Sequence, residues 1–292
     1  MTAPARTPRP LAGVRILSLA LNLPGPAALM RCRAMGARCT KLEPPAGDPM
    51  AAYSPAAYAQ LHEGVRVRQA DLKSDAGQRM LQRALARADV LLTSFRPSAL
   101  ARLGLSWRAL HKAHPQLSQV AIVGAPGARA EEPGHDLTYQ AEHGLVDGLA
   151  LPPSLYADMG GALAASEAVL QAQLLRAAKG RGVFLEVALT DAAGFMALPR
   201  GWGLTTPEGL VGGAHAGYRV YPCKDGRVAL ATLEPHFARA LCAAAGVADA
   251  SRAGMLAPAT RQAVAAFLAT RTRRQLDALA RAQDLPLHLL PR

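Results

Sequence analysis

Short β-prone runs alternate with helix-like segments through the first two thirds of the chain, and this alternation most constrains the fold. The β-prone runs cover residues 14–19, 38–42, 65–71, 90–94 and 119–123. Pro24 and Pro26 are typical of a helix start after the first run, and Ser74 is a suitable helix N-cap after the third. Strands that alternate with helices form right-handed βαβ units, so the sequence predicts an α/β fold with a parallel sheet.

The pattern of strand-like and helix-like segments changes near residue 200. Alternating apolar residues at 183–189 predict one more strand, and closely spaced glycines from 201 to 213 indicate a loop-rich crossing. Residues 218–234 then predict a β-hairpin that turns at Asp225-Gly226. Apolar periodicity predicts helices at 235–246, 259–270 and 272–284. We therefore expect two domains, a large α/β domain at 1–199 and a smaller α+β domain at 200–292.

Composition and patterning exclude several classes of protein. Half of the 292 residues are apolar, which is enough for a sizeable core. No charged-then-apolar leader begins the chain, and no apolar run approaches the roughly 18 residues that span a bilayer. We therefore expect a cytoplasmic globular protein without membrane contact. The cysteines are Cys32, Cys39, Cys223 and Cys242, and because they form no C-x-x-C pair and have no histidine cluster nearby, neither a metal site nor a disulfide framework is predicted.

The net charge of +12 is carried mainly by arginines that are dispersed along the sequence. A nucleic-acid binder is expected to cluster basic residues with interleaved aromatics, but aromatic residues make up only 4% of this chain. The sequence therefore predicts no nucleic-acid partner. The excess charge can still attract an anionic substrate.

Asp158 is the strongest single candidate for a reactive group. It precedes Gly160 and Gly161 and an apolar stretch at 162–178 that predicts a buried helix. A carboxylate at a helix start, beside glycines that expose backbone N–H groups, is well placed to react or to transfer a proton. The alternative is a plain helix N-cap, because aspartate is common there. The P-loop, dinucleotide-binding, serine-hydrolase and zinc-protease signatures are all absent from the sequence.

A set of short segments, taken in order, resembles one known family. The segments are 10–17 (PLAGVRIL), 25–27 (GPA), 36–45 (GARCTKLEPP), 70–74 (ADLKS), 88–97 (ADVLLTSFRP), 102–105 (RLGL), 133–137 (PGHDL) and 157–158 (AD). Their order and spacing are similar to those of the family III CoA-transferases, which also contain the 2-methylacyl-CoA racemases. The resemblance extends from Pro10 to about Pro291.

The resemblance implies a Rossmann-like large domain, a smaller second domain and an interlocked homodimer that acts on acyl-CoA. It implies no cofactor beyond coenzyme A, which is carried as the thioester substrate. By position, Arg96 and Lys41 match family residues near the CoA nucleotide, and Lys73 is a further candidate. An arginine can pair with a phosphate through two hydrogen bonds. The alternative for both lysines is a solvated surface charge.

Two chemistries are compatible with this resemblance, and both use Asp158. In CoA transfer its carboxylate attacks the thioester and forms an anhydride and then an aspartyl-CoA thioester. In racemisation two groups exchange the proton next to the thioester carbonyl. His135 matches the racemase branch as the second proton-transfer group, and Glu234 matches a supporting carboxylate, supplied by the same chain or across the dimer. The alternatives are a structural loop histidine and a glutamate at a helix start; His143 and His236 are assigned to packing or the surface.

Two departures from the family pattern qualify this resemblance. The segment from His135 to Asp158 is shorter than usual, and the C-terminal segment that packs back on the large domain in longer members is expected to be missing. Racemase-like α-proton transfer is the favoured hypothesis, with CoA transfer through Asp158 as the alternative. A non-catalytic CoA-binding homologue is the third hypothesis, and it predicts CoA affinity without turnover.

Overall fold

The computed structural model of the protein describes residues 8–292. The described residues fold into two compact units, which divide between Ala197 and Leu198. The first unit contains a six-stranded sheet, and the second contains a separate three-stranded sheet. The predicted α/β fold is confirmed by these two sheets and the helices around them.

All strands of the larger sheet are parallel, as the sequence predicts. They are β1 (Arg15–Ser18), β2 (Arg38–Glu43), β3 (Arg66–Gln69), β4 (Val90–Thr93), β5 (Ser118–Val123) and β6 (Phe184–Ala188). Their spatial order is β3-β2-β1-β4-β5-β6, the order of a Rossmann-type doubly wound sheet. Every residue of the central strands β4 and β5 is buried, because helices cover both faces.

The helices of the first unit connect these strands. They are α1 (Pro24–Ala34), α2 (Met50–Tyr53), α3 (Pro55–Leu61), α4 (Asp75–Leu85), α5 (Pro97–Arg102), α6 (Trp107–Ala113), α7 (Asp136–Glu142), α8 (Tyr156–Lys179) and α9 (Leu189–Gly201), with a 3₁₀ turn at Gly127–Glu131. Helices α1 and α8 pack on one face of the sheet, where Leu29 and Val169 are buried. Helix α4 covers the other face with Leu81 and Leu85. The Ser74 hydroxyl caps α4 by accepting a hydrogen bond from the Gly77 N–H (3.1 Å), as predicted.

The second unit is an antiparallel sheet with four helices. Its elements are β7 (Tyr218–Cys223), β8 (Gly226–Ala231), α10 (Pro235–Ala245), α11 (Arg252–Leu256), α12 (Pro258–Ala269), α13 (Arg273–Gln283) and β9 (Leu287–Leu290). The predicted hairpin is confirmed, but Cys223 pairs with Gly226, so the two turn residues are Lys224 and Asp225. Helix α11 and strand β9 were not predicted. The boundary expected between residues 199 and 200 falls within α9, as does the division between the two units.

Two further findings concern the apolar character of the helices and the state of the cysteines. Within residues 8–292, no helix combines the length and apolar character needed to span a bilayer. The cysteines are all free thiols, and Cys32, Cys39 and Cys242 are buried. Burial raises the pKa of the Cys32 and Cys39 thiols to about 12, so both are protonated at neutral pH.

Candidate active site

A cavity of about 310 Å³ opens at the edge where strands β1, β4 and β5 end. Residues that follow these strands line it, among them Asn22 after β1, Ser94 after β4 and Gly124 after β5. In a sheet of this strand order, the chain reverses its winding direction between β1 and β4. Ligands bind at such a switch point, outside the carboxyl ends of the strands. His135 and Asp158, both predicted as catalytic, line the same cavity.

Asp158 is the third residue of α8 and does not cap the helix. The N-cap position is Leu155, so the interpretation of Asp158 as a plain N-cap is wrong. Its carboxyl group is half-buried in the cavity wall and accepts no hydrogen bond from any residue within 8–292. The two glycines that follow it also differ from expectation. Gly160 and Gly161 are buried and let α8 approach α9 closely, so they do not expose backbone N–H groups.

Asp136 determines the environment of Asp158. One Asp136 carboxylate oxygen, Oδ1, accepts a hydrogen bond from the Asp158 backbone N–H (3.0 Å), and the other accepts one from the Gln140 side chain. Burial and the negative charge of Asp136 together raise the pKa of Asp158 to about 6. Asp136 therefore supports the start of α8 and makes the Asp158 carboxylate more basic. Sequence reasoning included Asp136 in a matching segment but assigned it no role.

His135 occupies the N-cap position of α7. Its backbone N–H donates to the Thr138 hydroxyl (3.1 Å), and that hydroxyl donates back to the His135 carbonyl oxygen (2.7 Å). These bonds fix the loop in front of α7, which holds the exposed His135 at the cavity. The structure thus brings His135 and Asp158 together, although they are on different helices.

Tyr139 is a cavity residue that sequence reasoning missed. Its buried hydroxyl lies where a Cβ atom on Gly124 or Gly134 would be, so both positions require glycine for the ring to fit. Burial and the nearby Asp158 charge raise the pKa of Tyr139, which keeps the phenol protonated at neutral pH. The Pro133-Gly134 sequence was the signal for this close approach, but its partner lies on a helix and could not be identified locally.

Arg96 brings a positive charge to the cavity. It precedes α5, it is exposed, and it forms no ion pair with any residue that the structure describes. Its guanidinium is therefore available to an anion such as a phosphate or carboxylate. Lys73 is also exposed, in the turn after β3, where its backbone N–H donates to Asp71 (3.0 Å). Lys73 does not line this cavity.

Lys41 lies in a buried cluster of charged groups, and its predicted contact with the CoA nucleotide stays a prediction. It is 0% exposed, so the alternative of a solvated surface charge is wrong. Its ammonium group contacts Glu43 (3.1 Å), Asp48 and the Nε2 atom of His62 (2.8 Å). Glu43, Asp48 and His62 are also residue types that bind metal ions, and they form the only such cluster among residues 8–292. A metal ion would have to displace the Lys41 ammonium to bind there. Lys41 does not line the cavity that contains Asp158.

The buried cluster around Lys41 nevertheless reaches the cavity through Asp48. The Oδ1 atom of Asp48 accepts hydrogen bonds from the backbone N–H groups of Asn22 (3.0 Å) and Met50 (2.9 Å). Asn22 lines the cavity and has a φ of 63°, a left-handed conformation that a non-glycine residue adopts at some cost. Asp48 thus holds the loop after β1 in its strained shape, and Lys41 neutralises Asp48.

The remaining predicted residues lie elsewhere. Glu234 is exposed at the N-cap position of α10, in the unit Leu198–Arg292, so it is a glutamate at a helix start and its supporting role stays a prediction. The assignment of His143 to packing is confirmed, because its Nε2 atom lies 3.0 Å from the Thr190 hydroxyl and its ring contacts Gly194. His236 is exposed beside Phe237.

The sequence matches a family model described as CoA-transferase family III over residues 11–290. The chain therefore belongs to CoA-transferase family III. The family predicted from the short sequence segments is confirmed, and so is the prediction of an enzyme of this family.

Relatives in this family carry out different reactions. The succinate–glutarate CoA-transferase of Agrobacterium fabrum is 30% identical over 273 residues, which are 84% of this chain and 68% of that protein. The alpha-methylacyl-CoA racemase of Mus musculus is 28% identical over 245 residues, which are 78% of this chain and 62% of the racemase. Family membership therefore does not choose between transferase and racemase activity. The chain also spans less than the full length of both relatives.

A solved structure has the same fold. The crystal structure of a CAIB/BAIF family protein from Brucella suis is 25% identical, with a TM-score of 0.80, and covers 96% of this chain and 84% of that one. The likeness extends over nearly the whole chain and agrees with the parallel and antiparallel sheets described above.

Proposed function

We propose that the protein catalyses racemase-like α-proton transfer on a 2-methylacyl-CoA, with Asp158 and His135 as the proton-transfer pair. The observation that supports this most directly is the presence of both side chains in one cavity, with the pKa of Asp158 raised to about 6. A carboxylate of that pKa is mostly ionised at neutral pH and is a stronger base than an ordinary aspartate. A histidine side chain also exchanges protons readily near neutral pH.

In the proposed reaction one of the two groups removes the proton next to the thioester carbonyl, and the other returns a proton to the opposite face. Arg96 is the proposed contact for a CoA phosphate, because its guanidinium has no acidic partner among residues 8–292. Lys73, exposed beyond the end of β3, is a second phosphate candidate. Glu234 is the proposed supporting carboxylate, contributed by the same chain or by a second copy in a homodimer. The proposed location is the cytoplasm.

CoA transfer through Asp158 is the second candidate function. It is supported by the Asp158 carboxyl group, whose oxygens accept no hydrogen bond from the described residues and are available for attack on a thioester. The carboxylate would displace CoA thiolate to give a mixed anhydride, which the thiolate then cleaves to aspartyl-CoA thioester and the free acid. The carboxylate of a second acid would attack this thioester and release CoA thiolate, leaving a second mixed anhydride. The thiolate would then attack the acyl carbon of the second acid, which gives the new acyl-CoA and regenerates the Asp158 carboxylate. The 30% identity to a CoA-transferase also favours this candidate.

Deuterium exchange distinguishes the candidates. Purified protein is incubated with 2-methylacyl-CoA thioesters in deuterated water, and both the substrate and the protein are analysed by mass spectrometry. Enzyme-dependent deuterium at the α-carbon that is lost in Asp158→Asn and His135→Gln, but retained in the exposed control His236→Gln, is the result expected for proton transfer.

Other outcomes contradict the first candidate. A CoA adduct on Asp158 without α-exchange, which is discharged when an acceptor acid is added, identifies a transferase. Binding of acyl-CoA with neither signal across the panel identifies a non-catalytic CoA-binding homologue. Full exchange in Asp158→Asn removes the assignment of Asp158 in both chemistries.

A further inference from the structure

A second large concavity lies at the opposite edge of the parallel sheet from the active-site cavity. It is a groove of about 1500 Å³ that includes the start of β1 at Arg15, the start of β2 at Arg38 and the start of β3 at Arg66. The groove also extends along β2 and β3 to Leu42 and Arg68, and it shares no lining residue with the cavity that contains Asp158. We call it the arginine groove.

The arginine groove concentrates positive charge that is dispersed in the sequence. Its lining arginines are Arg9, Arg15, Arg33, Arg38, Arg66, Arg68, Arg83 and Arg87. No aspartate or glutamate of the described chain lines the groove. Of these arginines, only Arg15 forms a salt bridge with a described residue, to Asp89 (3.2 Å), and Asp89 is shared with Arg176. A concave surface lined by one sign of charge focuses its potential and attracts counterions.

The register of the strands brings like charges close together at the start of the sheet. Arg15 and Arg38 are direct neighbours across β1 and β2, and Arg66 is paired with Thr40 on the next strand. Like charges on paired positions of adjacent strands repel each other. Proteins usually avoid like charges at paired strand positions, and departures from such local rules are expected at functional sites.

Interaction with helix dipoles explains only part of the cluster. Arg33 lies in the last turn of α1 and Arg83 in the last turn of α4, where a cation interacts favourably with the helix C-terminus. Arg38 and Arg66 lie on strands, which have only small dipoles. Helix dipoles therefore do not account for the arginines on the strands.

The shape and lining of the groove indicate the chemistry of a ligand that would fit it. Its volume exceeds the roughly 300–1,000 Å³ of ordinary small-molecule pockets, which favours an extended ligand. Guanidinium groups match phosphate oxygens with paired hydrogen bonds. No phenylalanine, tyrosine or tryptophan of the described chain lines the groove, so it lacks the stacking platforms that proteins use for single-stranded nucleic acids.

We propose that the arginine groove is a binding site for inorganic polyphosphate, a chain of phosphates without bases. Arg38 and Arg66, at the starts of neighbouring strands, are the central contacts. The proposal is independent of the reaction at Asp158, because the two sites share no lining residue.

Titration of the full-length protein with inorganic polyphosphate tests this site. The double variant Arg38→Glu/Arg66→Glu is compared with Arg239→Glu/Arg274→Glu, a control with the same change of charge at exposed arginines outside the groove. We expect the groove variant to lose at least about tenfold in affinity, the control to bind as the wild type does, and wild-type affinity to fall steeply as salt rises. Thermal unfolding of both variants checks that they are folded.

Four results would overturn the proposal. They are an absence of polyphosphate binding by the wild type, an equal loss of affinity in the control, tighter binding of single-stranded RNA than of polyphosphate at equal phosphate concentration, and loss of acyl-CoA binding in the groove variant. The third result would identify a nucleic-acid site, and the fourth would assign the groove to the CoA nucleotide.

Discussion

The neighbouring carboxyl groups of Asp158 and Asp136 differ in their environments. Asp136 is buried and accepts hydrogen bonds from the Asp158 backbone and from Gln140, whereas the Asp158 carboxyl lines the cavity without such partners. Hydrogen-bond donors stabilise the ionised form of a carboxyl group, and burial near a like charge destabilises it. Burial, together with the negative charge of Asp136, raises the pKa of Asp158 to about 6.

Replacement of Asp158 by asparagine is expected to stabilise the protein above pH 6. The pKa of Asp158 rises from 3.8 to about 6 on folding, so between these values the folded chain binds more protons and stability falls as pH rises. We expect Asp158→Asn to raise the free energy of unfolding by about 1–3 kcal/mol at pH 7.5, and by almost nothing near pH 4. Urea unfolding at both pH values measures this; an equal gain at both would contradict it.

Replacement of Asp136 by asparagine is expected to move the pH dependence of the reaction. An asparagine side chain can still accept the Asp158 N–H bond but carries no charge, so the pKa of Asp158 falls. We expect the acidic limb of the kcat/KM profile, near pH 6 in the wild type, to shift to lower pH in Asp136→Asn. His143→Gln is the control, with an unshifted limb. An unchanged limb in both variants would show that another group controls it.

Removal of the buried ammonium group of Lys41 is expected to be strongly destabilising. Lys41→Met leaves the buried Glu43 and Asp48 carboxylates without their cation, which costs about 3–5 kcal/mol of unfolding free energy. The exposed Lys73→Met is the matched control and should stay within about 0.5 kcal/mol of the wild type. Denaturant unfolding compares the variants. A similarly small loss of unfolding free energy in both variants would mean that the Lys41 ion pairs contribute nothing to stability.

At the scale of secondary-structure elements, the sequence predicts most of the parallel sheet because its strands are short β-prone runs between helical segments. Strand β9 was missed because Leu287–Leu290 is a short run between prolines and pairs with distant β8. The active-site cavity was also predicted only in part from the sequence. His135 and Asp158 were predicted from short sequence segments that resemble the family and occur in its order. The Asp136–Asp158 hydrogen bond, the fit of Tyr139 and the Lys41 cluster were not predicted, because they depend on contacts between elements that no local pattern encodes.

Close packing at the start of α1 makes Gly25 sensitive to substitution. A Cβ atom added at Gly25 would overlap the Cβ atom of the buried Ala20, so the backbone after β1 has to shift. We expect Gly25→Ala to cost about 1–3 kcal/mol of unfolding free energy and to lower turnover, because Asn22 of that loop lines the cavity.

Gly201→Ala is the control for the change at Gly25. An added Cβ at Gly201, in the last position of α9, has no heavy atom within 4 Å. Its unfolding free energy and turnover should match those of the wild type. Thermal unfolding and initial rates compare the two variants, and an equal loss in both would contradict a specific overlap at Ala20.

At the scale of the whole molecule, the first unit exposes several large apolar side chains. Leu174 on α8 is 72% exposed and Phe195 on α9 is 70% exposed. The homodimer stays a prediction, and these two side chains are the positions chosen to test it.

Charge placed at these side chains is expected to dissociate the dimer. We expect Leu174→Glu/Phe195→Glu to sediment as a monomer at concentrations where the wild type is a dimer, because burial of unpaired carboxylates is unfavourable. Ala113→Glu, which adds one exposed negative charge at the end of α6, should remain dimeric. Analytical ultracentrifugation measures all three; a monomeric wild type would contradict the predicted assembly.

The separation of the arginine groove from the active-site cavity has a practical consequence for immobilisation. An anionic bead or sulfonated electrode attracts the edge of the sheet where β1, β2 and β3 begin, which leaves the carboxyl edge, with Asp158, facing the liquid. The sheet of the first unit would attach by the edge where these strands begin, and raising the salt concentration would release the protein. The charge distribution along one sheet thus allows reversible attachment to an anionic surface without an added tag.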